Sequence, residues 1–134
     1  MTPVVFLDTV GMLAVWDSSD QWHAAAEAAF RGLKARRRDL VTSSYVLAEC
    51  GNAAARRVYR QDVSELQRDM QATGRLVFPS EADWRTAWQA YERGEGAGAG
   101  LVDQLSFVVA RRLGIKRIFT NDAHFRAAGF EVLF

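Results

Sequence analysis

Pro3-Val4-Val5-Phe6-Leu7-Asp8 is a short, almost unbroken apolar run closed by a carboxylate. A run this short, with no polar alternation, is the pattern of a strand buried on both faces, the kind found in parallel sheets. Ligands of such sheets gather outside the carboxyl ends of the strands, so Asp8 stands where a site is expected. Working outward, three more acids hold comparable positions. Glu49 ends the helix-like Ser44-Tyr45-Val46-Leu47-Ala48-Glu49, Asp103 opens an apolar helix after a glycine-rich stretch, and Asp122 follows Arg117-Ile118-Phe119-Thr120. Brought within about 5 Å, each ionised pair repels by about 3 kcal/mol at an effective dielectric of ~20. The cluster then calls for a cation or for protonation, and hard oxygen donors suit Mg²⁺ or Mn²⁺.

The rest of the chain alternates helices with short strands. Trp22, Ala26, Phe30 and Leu33 recur at helical spacing, predicting a helix over 20–37. Asp39-Leu40-Val41-Thr42 reads as a second strand, a Ser-capped helix runs from 43 or 44 to about 60, and another covers 62–72. Leu76-Val77-Phe78 makes a third strand, ended by Pro79. Ser80 caps a helix whose stripe of Trp84, Trp88 and Tyr91 reads as core covering the sheet, with a subunit or partner surface as the alternative. Gly94 to Gly100 breaks that helix and reads as a flexible connection, since it lacks the strand and helix context of a dinucleotide loop. A helix over 101–113, a strand at 117–120, a short helix from Asn121 to Ala128 and a strand at 131–134 complete a mostly parallel α/β sheet with covered faces.

Bulk properties narrow the function classes. At 134 residues, 49% hydrophobic and 25% charged, the chain suits one domain, residues 1–134, with a core that needs no staples. A lone cysteine, Cys50, excludes an internal disulfide and a thiolate metal cluster and reads as a small buried hydrophobe. Neither a signal peptide nor a membrane-spanning helix is expected, which makes the cytoplasm the default location. Net charge is +1, yet neutralising the four acids with metal would leave the scaffold distinctly basic, which suits a polyanion. The basic groups at Lys34 to Arg38, at Arg56, Arg57 and Arg60, and at Arg111 and Arg112 read as solvated helix faces. On one predicted helix face, Glu49, Asn52 and Arg56 offer a ligand, an amide and a phosphate contact.

No nucleophilic side chain is set beside a base. His23 and His124 are read as structural or surface residues, because neither is spaced to a second histidine or to a Ser or Cys nucleophile. A phosphatase-type α/β domain would also place Asp8 after the first strand, but it needs a second Asp where Val10 stands.

With these residues in place, the chain resembles the PIN-domain family, particularly the VapC ribonuclease toxins of toxin–antitoxin pairs. The motifs that carry the resemblance are Phe6-Leu7-Asp8-Thr9, Val46-Leu47-Ala48-Glu49 with Asn52, Leu101-Val102-Asp103 before Ser106-Phe107, and Thr120-Asn121-Asp122 before His124-Phe125. Asp20 with His23 matches the early helix. The resemblance implies a three-layer α/β/α fold around a mostly parallel five-stranded sheet and metal-dependent endonucleolytic cleavage of RNA. Asp8 and Asp103 would be the principal ligands of Mg²⁺ or Mn²⁺, with Glu49 and Asp122 completing the site directly or through water. Thr9 and Thr120 would support it, and Val10 departs from the polar residue usual there. A cognate antitoxin covering the acidic cleft and a homodimer are implied as well. The alternative is a catalytically silent interaction module on the same fold.

Overall fold

The structure is a computed structural model that describes residues 4–134; Pro3, read above as the start of the first strand, lies outside the described residues. Strand β1 (Val4–Leu7) leads into helices α1 (Thr9–Trp16) and α2 (His23–Ala35), then β2 (Asp39–Ser43), α3 (Ser44–Ala54), α4 (Arg60–Ala72) and β3 (Leu76–Val77). There follow α5 (Glu81–Glu92), the single turn α6 (Glu95–Gly98), α7 (Leu101–Arg112), β4 (Arg117–Phe119), α8 (Ala123–Ala127) and β5 (Glu131–Val132). Every strand pairing is parallel, and the sheet order is β3-β2-β1-β4-β5.

That order places the functional edge. From β1 the chain steps outward to β2 and β3, then returns past them to β4 and β5. With right-handed crossovers, α1–α4 cover one face and α5–α8 the other. The reversal falls between β1 and β4, so the crevice beyond their carboxyl ends is the topological switch point. Both strands are buried at this point, with Val5, Phe6, Leu7, Ile118 and Phe119 fully enclosed. Phe107 and Phe125 pack edge to face at 4.9 Å in the core beneath α7 and α8.

Four expectations need correction. The segment after Asp8 is a helix that the sequence reading passed over: α1 is apolar on nearly every side, as befits a buried helix, and so shows no helical period. The helix expected to continue to residue 60 stops at Ala54. The aromatic stripe of α5 is not core, because its buried side chains are Asp83 and Ala87, whereas Trp84 and Tyr91 are 37% and 46% exposed. The glycine-rich connection is a compact turn: Gly94, Gly96, Ala97 and Gly98 have positive φ, and Gln104 donates to the carbonyl of Glu95 at 2.7 Å. A Cβ on Gly96 would lie 2.9 Å from the Phe107 ring, so this glycine also admits a close approach.

Candidate active site

A pocket of about 460 Å³ opens at the switch point, lined by Asp8, Thr9, Val10, Glu49, Asn52, Asp103 and Asp122. Each acid comes from a different element. Asp8 follows β1 and caps α1, accepting from the Val10 amide; Glu49 lies mid-way along α3; Asp103 is in the first turn of α7; and Asp122 caps α8, accepting from the His124 amide at 2.9 Å. Short polar caps that accept from a helix's first free amides are a local reason for these residues. Two of the four thus combine a cap with a place in the pocket.

Hydroxyl groups tie the acids together. Thr120, fully buried, donates to Asp8 Oδ2 at 2.9 Å, and its oxygen accepts from the Asp122 amide at 3.1 Å. Thr9 donates to Glu49 Oε1 at 2.5 Å, which meets the need of a half-buried acid for a partner. Beneath them, Thr42 donates to the Leu7 carbonyl at 2.8 Å and joins β2 to the end of β1.

The electrostatics are those of uncompensated negative charge. Burial, reinforced by Asp103 and Asp122, pushes the Asp8 carboxyl up to about 7, against the opposing hydrogen bond from Thr120. Asp103 rises to about 6 through burial and the charges of Asp122 and Glu49, opposed by His124. No lysine or arginine lines the pocket among the described residues. Convergent hard oxygen donors with raised proton affinity, with no lysine or arginine beside them among the described residues, fit a divalent cation.

Other candidates fall elsewhere. Arg56 is exposed in the turn after α3 and does not line the pocket, so the helix face on which its substrate contact rested is interrupted. Asn52, still on α3, stands exposed at the rim. Cys50 is fully buried, and its thiol is raised to about 12, so it is a packing residue. His23 points its Nδ1 to the Ala14 carbonyl at 2.9 Å and serves the junction of α1 and α2. His124, expected to be structural or at the surface, is partly exposed, and its Nδ1 lies 2.8 Å from Asp122 Oδ1 beside the acids. The signal available in sequence was its place two residues after an Asp that begins a helix.

An α/β sheet with four acids at its switch point is the architecture of a nuclease-like domain, and residues 5–131 match the PIN domain, so the chain belongs to the PIN-domain family. Among individual relatives, it is 27% identical over 128 residues, 95% of each chain, to the 23S rRNA-specific endonuclease VapC20 of Mycobacterium tuberculosis. The crystal structure of that sarcin–ricin loop cleaving toxin superposes with a TM-score of 0.79 at 26% identity, covering 94% of this chain and 95% of the other. FitAcB from Neisseria gonorrhoeae shares the fold at 17% identity and a TM-score of 0.65, covering 97% and 96% of the two chains. VapBC2 from Rickettsia felis does so at 17% and 0.63, covering 96% of each.

Proposed function

We propose that this chain is a divalent-cation-dependent endoribonuclease and the toxin of a toxin–antitoxin pair. The observation that carries the proposal is the meeting of Asp8, Glu49, Asp103 and Asp122 in one pocket without a basic residue. Membership of the PIN family and the named activity of the mycobacterial relative support RNA as the substrate class. A bound Mg²⁺ or Mn²⁺ supplies Lewis acidity, which makes water a competent nucleophile and stabilises the charge that develops on phosphoryl oxygens. Asp8 and Asp103 would be the principal ligands of the ion, with Glu49 and Asp122 completing its shell directly or through water. Thr120 and Thr9 hold Asp8 and Glu49 in orientation, and Asn52 presents an amide at the rim. Water would attack phosphorus as the P–O3′ bond breaks, and the departing 3′-oxygen would take up the proton that the water gives up, leaving a 5′-phosphate and a 3′-hydroxyl.

Purified protein is expected to cleave RNA with Mg²⁺ or Mn²⁺ and to stop in EDTA. A synthetic sarcin–ricin loop RNA, the target named for the relative, is the first substrate to try beside total RNA. Asp8→Asn and Asp103→Asn are each expected to lower the rate by at least about a hundredfold, the scale lost with a charge-stabilising group. Undiminished cleavage in EDTA or in Asp8→Asn would remove the mechanism.

Two partners follow from the same reading. An antitoxin segment bearing Arg or Lys would neutralise the acids in place of metal. Expression alone is expected to arrest growth, with rescue by the cognate antitoxin or by Asp103→Asn. A homodimer is proposed through the aromatic row, in which Tyr45 meets Trp84 at 5.8 Å, Trp84 meets Trp88 at 5.9 Å and Trp88 meets Tyr91 at 5.2 Å. Phe78, 67% exposed, extends the apolar surface near Tyr45. A contiguous row in which Trp84, Tyr91 and Phe78 are exposed and Tyr45 and Trp88 half-exposed marks an interaction surface.

A further inference from the structure

We infer that His124 is a nitrogen ligand in the cation site and that it biases the pocket toward Mn²⁺ over Mg²⁺. The inference rests on the reading of the pocket as a divalent-cation site and concerns a residue that reading does not use. One donor atom each from Asp103, Asp122 and His124 lies within 4.8 Å of the others. The His124 Nδ1 is 2.8 Å from Asp122 Oδ1. Two donors at adjacent positions of an octahedral shell, each about 2.1 Å from the ion, are about 3.0 Å apart, so the pair is already spaced as co-ligands. The imidazole is also accessible, at 41% side-chain exposure against 20% for Asp122. Its partner at the ring nitrogen is itself one of the proposed ligands, so no structural contact elsewhere is lost when this hydrogen bond gives way to an ion that both atoms bind.

The donor chemistry sets the selectivity. Carboxylate and water shells suit Mg²⁺, which prefers oxygen and gives up its water reluctantly; an imidazole nitrogen favours first-row transition ions. Replacing one oxygen donor with His124 therefore strengthens Mn²⁺ binding more than Mg²⁺ binding. The chain has two histidines, and His23, on α2, is engaged with Ala14 of α1 and Glu27 of its own helix. A histidine nitrogen detected on the ion is thus attributable to His124.

The experiment is pulsed EPR of the Mn²⁺-loaded protein, paired with calorimetric titrations of Mn²⁺ and Mg²⁺, for wild type, His124→Gln and His124→Ala. The expected result is an imidazole ¹⁴N coupling in wild type that disappears in both variants. Mn²⁺ affinity should fall about tenfold and Mg²⁺ affinity less than about twofold. Uniform ¹⁵N-histidine labelling of the wild type should convert the coupling to that of ¹⁵N, which tests ligation without any substitution. Mn²⁺ bound with no histidine coupling, or equal losses for both ions in the variants, would overturn the inference while leaving the carboxylate site standing. A wild type that binds neither ion would overturn both.

Discussion

Asp8 shows how a single residue couples the fold to its site. It is 1% exposed, caps α1 and has its carboxyl raised from 3.8 to about 7. Because the folded carboxyl holds a proton that the unfolded chain releases, the native state of the metal-free protein binds more protons between about pH 4 and pH 7. Its contribution to stability is therefore greatest at the acid end of that window and falls as pH rises, by on the order of 4 kcal/mol for Asp8. Asp103, raised to about 6 and only half-buried, adds in the same direction with more solvent screening. Thermal melts in EDTA at pH 5 and pH 8 should show the metal-free wild type losing stability between them, and Asp8→Asn should flatten the difference, since Asn keeps the cap. Mn²⁺ should raise the melting temperature at pH 8 more than at pH 5, where protons compete for the same oxygens; an equal shift at both would contradict it. Thr120 is the second residue of consequence. Thr120→Val leaves Asp8 Oδ2 only the longer contact from the Val10 amide at 3.4 Å and strands the Asp122 amide, and should cost about 1–3 kcal/mol and much of the activity, with Thr120→Ser recovering both. The positions of the four acids were legible because each ends a strand or sits on a helix near the same sheet edge. The long-range hydrogen bonds were not, since no local pattern announces a partner 112 residues away.

Among the elements, α1 was the least legible and is among the most constrained. A helix enclosed on most sides has no polar stripe to give it a period, so the apolar residues Val10 to Trp16 carry no helical signature of their own. Its seat against β4 depends on Gly11, where a Cβ would lie 2.2 Å from the Phe119 carbonyl oxygen and 2.7 Å from the Phe119 ring. Gly11→Ala should therefore push α1 off the sheet, cost about 1–3 kcal/mol and displace Thr9 from Glu49. Chemical denaturation checks the first effect, and loss of nuclease activity despite intact carboxylates checks the second. Helix α5 teaches the opposite lesson: its aromatic period was plain, but periodicity locates a face without saying what that face meets. Asp83, buried to 4% exposure, completes the capping box with Ser80 and receives two hydrogen bonds from Arg112 at 3.0 and 2.7 Å. That contact turns the face of Asp83 and Ala87 inward and leaves Trp84 and Tyr91 outward, with Trp88 half-buried. The hydrogen bonds from Arg112 hold the Asp83 carboxyl below its usual range, so this tie is present at neutral pH and weakens as acid protonates it.

For the whole molecule, the outward aromatic row predicts self-association. Trp84→Ala combined with Trp88→Ala should convert a dimer at micromolar concentration to a monomer by sedimentation velocity without lowering the melting temperature by more than a few degrees. A wild-type monomer under the same conditions would remove the dimer from the account. The sheet order was inferred only as mostly parallel, because the sequence marks strands without stating which neighbours pair. The order β3-β2-β1-β4-β5 sets the first strand directly beside the fourth, so Asp8 has no Thr120 hydroxyl, no Phe119 carbonyl for its amide and no Asp122 beside it until residues 119–122 are made. Domains tend to fold as units while synthesis proceeds from the N-terminus, and here the carboxylates cannot assemble until Asp122 has been added. A prematurely terminated chain that stops before Thr120 therefore lacks Asp122 and the hydroxyl that orients Asp8, and on the proposed reading it is inert.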